Sequence, residues 1–88
     1  MRVTLKEIKE VLKEAGKVHH DYEENILSGE FDKNWPGWYA AFIIGRLPGI
    51  GSPTKLTRLL KEASKEHKKK NQDTDWIEFY SNYLVKKL

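Results

Sequence analysis

The sequence predicts an all-α fold, a four-helix bundle built from two tandem helix-pair repeats around a pseudo-twofold axis. Three observations carry this expectation. Apolar residues recur three and four positions apart in four separate stretches, each stretch opens on a helix-start signal, and the second half of the chain repeats the spacing of the first. A chain of 88 residues fits one domain, and at this size folding buries roughly two-thirds of the unfolded surface.

The first helix opens at Thr4, whose hydroxyl can accept an orphan amide while Glu7, three residues on, reaches back in a capping box. From Leu5 the stripe Leu5, Ile8, Leu12, Ala15, His19 and Tyr22 lies along one face. The pattern then dissolves over residues 23–34, where Ser28, Gly29, Asp32 and Asn34 supply turn chemistry and make the longest loop. A second helix is expected from an Asn34 cap, with Pro36 in the first turn where its missing amide costs nothing. It turns Trp35, Trp38, Tyr39, Phe42, Ile43 and Leu47 inward and stops before Pro48. Residues 48–51 form a compact turn. Ser52 caps a third helix that starts on Pro53 and carries Leu56, Leu59, Leu60, Ala63 and His67. The fourth begins at Asp75, with Glu78 three residues later, and buries Trp76, Phe79, Tyr80, Tyr83, Leu84 and Leu88.

Displacing the chain by 48 residues lays Thr4 over Ser52, Leu12 to Ala15 over Leu60 to Ala63, and His19 over His67. A displacement of 41 lays Asp32 over Asp73, Trp35 over Trp76, Trp38 over Phe79, Tyr39 over Tyr80 and Phe42 over Tyr83. The units are thus residues 4–47 and 52–88, and the first holds seven extra residues between its helices, within residues 20–31. Each pair can bury its apolar face only against the other, which is why a bundle of four helices is expected.

Composition narrows the function classes. The chain has no cysteine, so disulfides, thiolate nucleophiles and cysteine-ligated metal are excluded. The N-terminus carries charges within its first ten residues and no apolar run approaches a bilayer span, which points to a cytoplasmic protein without a membrane partner. Sixteen basic and thirteen acidic residues give a net charge of +3, a mixed surface rather than the strong basic excess of a dedicated nucleic-acid binder.

The residues His20, Asp32, Trp35-Pro36 and Trp38-Tyr39-Ala40 resemble a D-x-x-W-P-x-W-Y-A signature of small, uncharacterised prokaryotic all-helical proteins. The second unit is a degenerate echo, with Ile77 where the Pro would be and Phe79 in place of the second Trp. This resemblance implies a fold and carries no activity. A more local one lies in Leu47-Pro48-Gly49-Ile50-Gly51, which is similar to the turn of helix-hairpin-helix DNA-binding motifs. It implies a phosphate cradle at Gly49, Ile50 and Gly51, with Lys55 and Arg58 supplying charge. The register departs from that pattern, since Lys55 stands where a small apolar residue is usual. The repeat explains the same turn as the connector between units.

Other candidates are weighed in the same way. His19 and His67 are a repeated polar pair near helix C-termini. They suit a pocket with Asp32 and Asp73 and the neighbouring Trp rings, or a structural role bonding loose carbonyls or a carboxylate. The pairs His19/Glu23 and His20/Glu24 have a metal-ligand spacing without a third ligand, so no metal or cofactor is expected. No nucleophile sits beside a base, and no Walker loop is present, so the chain reads as non-enzymatic. Ile26, Leu27 and Phe31 are apolar residues in the insert that the second unit lacks. They either close the bundle end or contact a partner. The leading expectation is a small protein-interaction module whose partner is another protein or a second copy. Sequence-independent nucleic-acid binding through residues 48–58 is the alternative.

Overall fold

The computed structural model describes residues 3–70 and 73–88. Residues 71 and 72, within the second expected unit, lie outside the described residues. Four helices follow one another, α1 (Leu5–Asn25), α2 (Trp35–Arg46), α3 (Pro53–Lys70) and α4 (Trp76–Lys87), with no strand among the described residues. Each helix packs on two neighbours in a closed circuit of α1 on α2, α2 on α3, α3 on α4 and α4 on α1.

The start signals act through the expected groups, with one exception. At α1 the Thr4 hydroxyl accepts the Glu7 amide at 3.2 Å and the Glu7 carboxylate accepts the Thr4 amide at 3.0 Å. At α3 Ser52 Oγ accepts the Lys55 amide at 3.1 Å, and at α4 Asp75 accepts the Glu78 amide at 3.4 Å. Asn34 is the exception, because its side chain makes no cap bond to α2. Its amide is instead donated to Asp32 Oδ1 at 2.9 Å, so the carboxylate two residues upstream organises this helix start. A second correction concerns α1, which continues past Tyr22 to Asn25. The amides of Ile26 and Leu27 both go to the Tyr22 carbonyl, and the chain then reverses through Ser28 and Gly29 at φ 54° and 83°. Glycine takes such a left-handed conformation without the Cβ clash.

Around the connecting turn the core is aliphatic. Ile8, Leu12, Ile43, Leu47, Ile50, Leu56, Leu59, Leu60 and Leu84 are all buried. Gly49, at φ 93°, lets the turn fold Ile50 back into that core. Ala40 and Ser81, 41 positions apart, are both fully buried at the helix contacts, and Ser81 satisfies its hydroxyl on the Ile77 and Glu78 carbonyls. Leu88 does not join the core as its spacing predicts. It stays 38% exposed, beside Gly51 of the connecting turn. Surface ion pairs link Lys9 to Glu78 at 2.6 Å and Arg46 to Glu14, and exposed pairs of this kind add little to stability.

This division of the core yields a measurable expectation. Leu60, with no exposed surface, should lose about 2–5 kcal/mol on substitution by alanine, from lost transfer energy and the cavity left behind. Val85→Ala, on the exposed side of α4, should stay within about 0.5 kcal/mol. Urea denaturation of the two variants checks the contrast.

Candidate functional site

The opposite end of the bundle is aromatic. There α1 and α3 finish and α2 and α4 begin, so the second-helix stripes bring their Trp and Tyr rings together. Trp35 meets Tyr39 at 5.6 Å, Tyr39 meets Trp76 at 6.1 Å, Trp76 meets Tyr80 at 5.6 Å, and Tyr80 returns to Trp35 at 6.2 Å. The first three contacts are edge-to-face, at 89°, 83° and 81°. Such pairs contribute about 0.5–1.5 kcal/mol each beyond their buried area. These four side chains form a closed cycle shared by both helix pairs.

Outside the cycle each half carries a ladder of rings. His19 packs on Trp38 at 4.7 Å, Trp38 stacks on Phe42 at 5.5 Å, and Arg46 caps Phe42 at 4.9 Å. In the other half His67 packs on Phe79 at 5.0 Å, Phe79 stacks on Tyr83 at 6.3 Å, and Lys87 caps Tyr83 at 5.6 Å. The histidines therefore approach Trp38 with Tyr39, and Phe79 with Tyr80. They do not lie against Trp35 and Trp76 in the ring contacts, because one helical turn separates those positions.

The two histidines differ in their polar partners. His19 is buried, and its Nε2 donates to Asp32 Oδ2 at 2.9 Å. Glu23 stands 3.9 Å from its Nδ1 and accepts the Asp32 amide at 3.0 Å. With the Asn34 amide on its second oxygen, Asp32 is tied to the helix before it and the helix after it. The bond from His19 is the main cause that holds the Asp32 carboxyl below its ordinary range, against the opposing effect of burial. His67 is only half-buried and donates to the Thr74 carbonyl at 2.6 Å. Asp73, which aligns with Asp32, is exposed, so of the two histidines only His19 meets a carboxylate and His67 meets a carbonyl. The shorter second connection brings a backbone carbonyl, not a carboxylate, to the imidazole.

A pocket of about 350 Å³ opens beside the ring cycle and is lined by His19, Glu23, Trp35, Tyr39, Trp76 and Tyr80, among others. Phe31 from the insert, Ser64 and Lys68 complete its walls. Burial pushes the Tyr39 phenol up to about 12, with help from the Glu23 charge, and also raises Tyr80, so both stay neutral hydroxyls near neutral pH. The edge of Trp76 lies over Gly16, where an added Cβ would come within 3.1 Å of the ring.

The remaining candidates are separated. Ile26 and Phe31 are 67% and 73% exposed, and Leu27 is half-buried. Gly49, Ile50 and Gly51 lie at the far end, where the Ile50 side chain is buried and its amide is donated to the Leu47 carbonyl at 3.2 Å. Lys55 is exposed, and Arg58 pairs loosely with Glu62 at 3.8 Å. Among the described residues no three His, Asp or Glu side chains converge as metal ligands, and no helix is long and apolar enough to cross a membrane. The sequence reading missed the ring cycle and the Glu23 tether. The repeated Trp-x-x-x-Tyr spacing was the signal for the first, and nothing local signalled the second.

Asp32 has a depressed folded-state pKa, so its contribution to stability is complete above the unfolded carboxylate value, about 3.9, and fades as pH falls through the lower folded value. Asp32→Asn should therefore cost about 1.5–3 kcal/mol near neutral pH. The gap between wild type and variant should close at acid pH. Chemical denaturation of both proteins from neutral to strongly acid pH measures that gap, and a gap independent of pH would contradict the assignment.

Comparison of the chain with known protein families, curated proteins and solved structures finds no match, so the reading of this site rests on its geometry.

Proposed function

We propose that the protein is a non-enzymatic interaction module that contacts another protein or a second copy through the insert within residues 20–31, at Ile26, Leu27 and Phe31. The observation that carries this reading is the exposure of Ile26 and Phe31 on a loop that is nevertheless fixed. Exposed apolar side chains on a loose loop can bury themselves by local collapse. Here the His19, Glu23 and Asp32 contacts hold the loop end against α1 and α2. Large apolar groups kept in water by a built support suit docking better than packing.

The same reading takes the two helix pairs as a duplicated unit, one copy of which gained the insert. The matched ring ladders and cation caps of the halves support it. Function then follows the asymmetry, since the common scaffold is already accounted for by packing.

Replacing Ile26 and Phe31 by Ser tests the proposal. The variant should lose a pulled-down partner or a self-association seen by sedimentation, while its stability moves by no more than about 0.5 kcal/mol per site, as for exposed residues generally. A large drop in melting temperature would instead make the two side chains part of the fold.

A second reading, sequence-independent nucleic-acid binding, draws on a groove at the start of α3 lined by Pro53, Thr54, Thr57, Arg58 and Lys61. Because the Ile50 amide is donated to the Leu47 carbonyl, the phosphate contacts of this reading are the Gly49 and Gly51 amides, Lys55 and Arg58, together with this groove. Arg58→Ala with Lys61→Ala should then reduce a salt-dependent shift with duplex DNA. A shift that is absent, or insensitive to salt, removes the reading.

A further inference from the structure

The pocket beside the ring cycle is not explained by a protein contact at the insert. We propose that it binds a methylated ammonium group, seated against the Trp and Tyr rings with Glu23 as its counter-ion. The lining supplies the argument. Five aromatic side chains, Phe31, Trp35, Tyr39, Trp76 and Tyr80, share one cavity of about 350 Å³, at the small end of ligand pockets. Successive members of the cycle cross at 89°, 83° and 81°, so their surfaces look in several directions around one end of the bundle. A rounded cation can use several ring faces at once, whereas a flat apolar ligand would use one.

Charge selects further. The Glu23 carboxylate lines the same cavity and is near enough to Tyr39 to raise its phenol. Asp32 is bonded to His19 behind this wall and is not part of the lining, so Glu23 is the carboxylate that faces the cavity, with the ammonium of the exposed Lys68 also on its walls. An anionic ligand would meet the Glu23 carboxylate and the electron-rich ring faces. A methylated ammonium is weakly hydrated, so it gives up little on entering, and it is attracted by the ring quadrupoles. The two tyrosines stay neutral and offer their rings without an opposing phenolate or a mobile charge. The cation can come from a free metabolite or from a methylated lysine of another protein, and the recognition chemistry is the same.

The test is an NMR titration of the full chain that follows the indole N–H signals of Trp35 and Trp76. Choline should shift both saturably and bind about tenfold tighter than its uncharged tert-butyl isostere, the range expected for a desolvated cation over aromatic faces. Glu23→Gln keeps an oxygen for the Asp32 amide and removes only the charge, so it should erase most of the advantage of choline and leave the isostere unchanged. Circular dichroism of that variant confirms its fold. Equal affinity for choline and the isostere, or no saturable shift, overturns the proposal. A trimethyllysine peptide set against choline separates the sources, since tighter binding of the peptide assigns the cation to a modified protein and tighter binding of choline to a metabolite. Because Phe31 belongs to both the insert and the pocket wall, Ile26→Ser alone, outside the pocket lining, reports on the docking loop, and Glu23→Gln with choline against its isostere reports on the pocket.

Discussion

Asp32 is buried beside His19 in a bundle of short helices, and a carboxylate in that position is costly unless each of its oxygens is hydrogen-bonded. The chain meets this requirement with an imidazole on one oxygen and the Asn34 amide on the other, while Glu23 holds the Asp32 backbone. Much of the local architecture depends on that arrangement. It sets where the insert ends and replaces the missing side-chain cap of α2. It also sends the preceding residue, Phe31, outward beside the pocket. The turn residues before it are set separately by backbone bonds, from Ile26 and Leu27 to the Tyr22 carbonyl and from Gly29 to the Glu23 carbonyl.

The second half of the molecule reaches the same packing with a cheaper device. His67 donates to the Thr74 carbonyl, and no buried carboxylate is needed. Around the two histidines the ring contacts run in parallel, down to the cation that closes each ladder. The two histidines thus differ in their polar partners, a carboxylate for His19 and a backbone carbonyl for His67. A helix pair needs only a satisfied imidazole to pack. The additional charge around His19 therefore belongs to the insert and to the pocket wall, and not to the bundle as such.

The core is also divided along its length. The end near residues 48–52 is filled by branched aliphatic side chains that leave almost no exposed surface. The other end is filled by rings, of which Trp35, Trp38 and Trp76 remain half-exposed. Large rings on helix starts cannot all be covered by the adjoining loops, and the pocket is the uncovered remainder.

By itself the sequence determined the number of helices, most of their boundaries, the caps at Thr4, Ser52 and Asp75, and the inward stripes. These follow from spacing and from local hydrogen bonding, which act over three or four residues. It marked His19 and Asp32 as members of a repeated pattern and could not pair them, since thirteen residues and a loop of irregular backbone separate them. For the same reason the missing cap at Asn34, the half-burial of His67 and the exposure of Leu88 were not legible. The ring cycle was equally hidden, although each Trp and Tyr in it was assigned to an inward stripe. Which edges meet which faces depends on the distance and rotation between helices distant in sequence. Only the tertiary structure decided those quantities, because they come from the simultaneous packing of all four helices and not from any one segment.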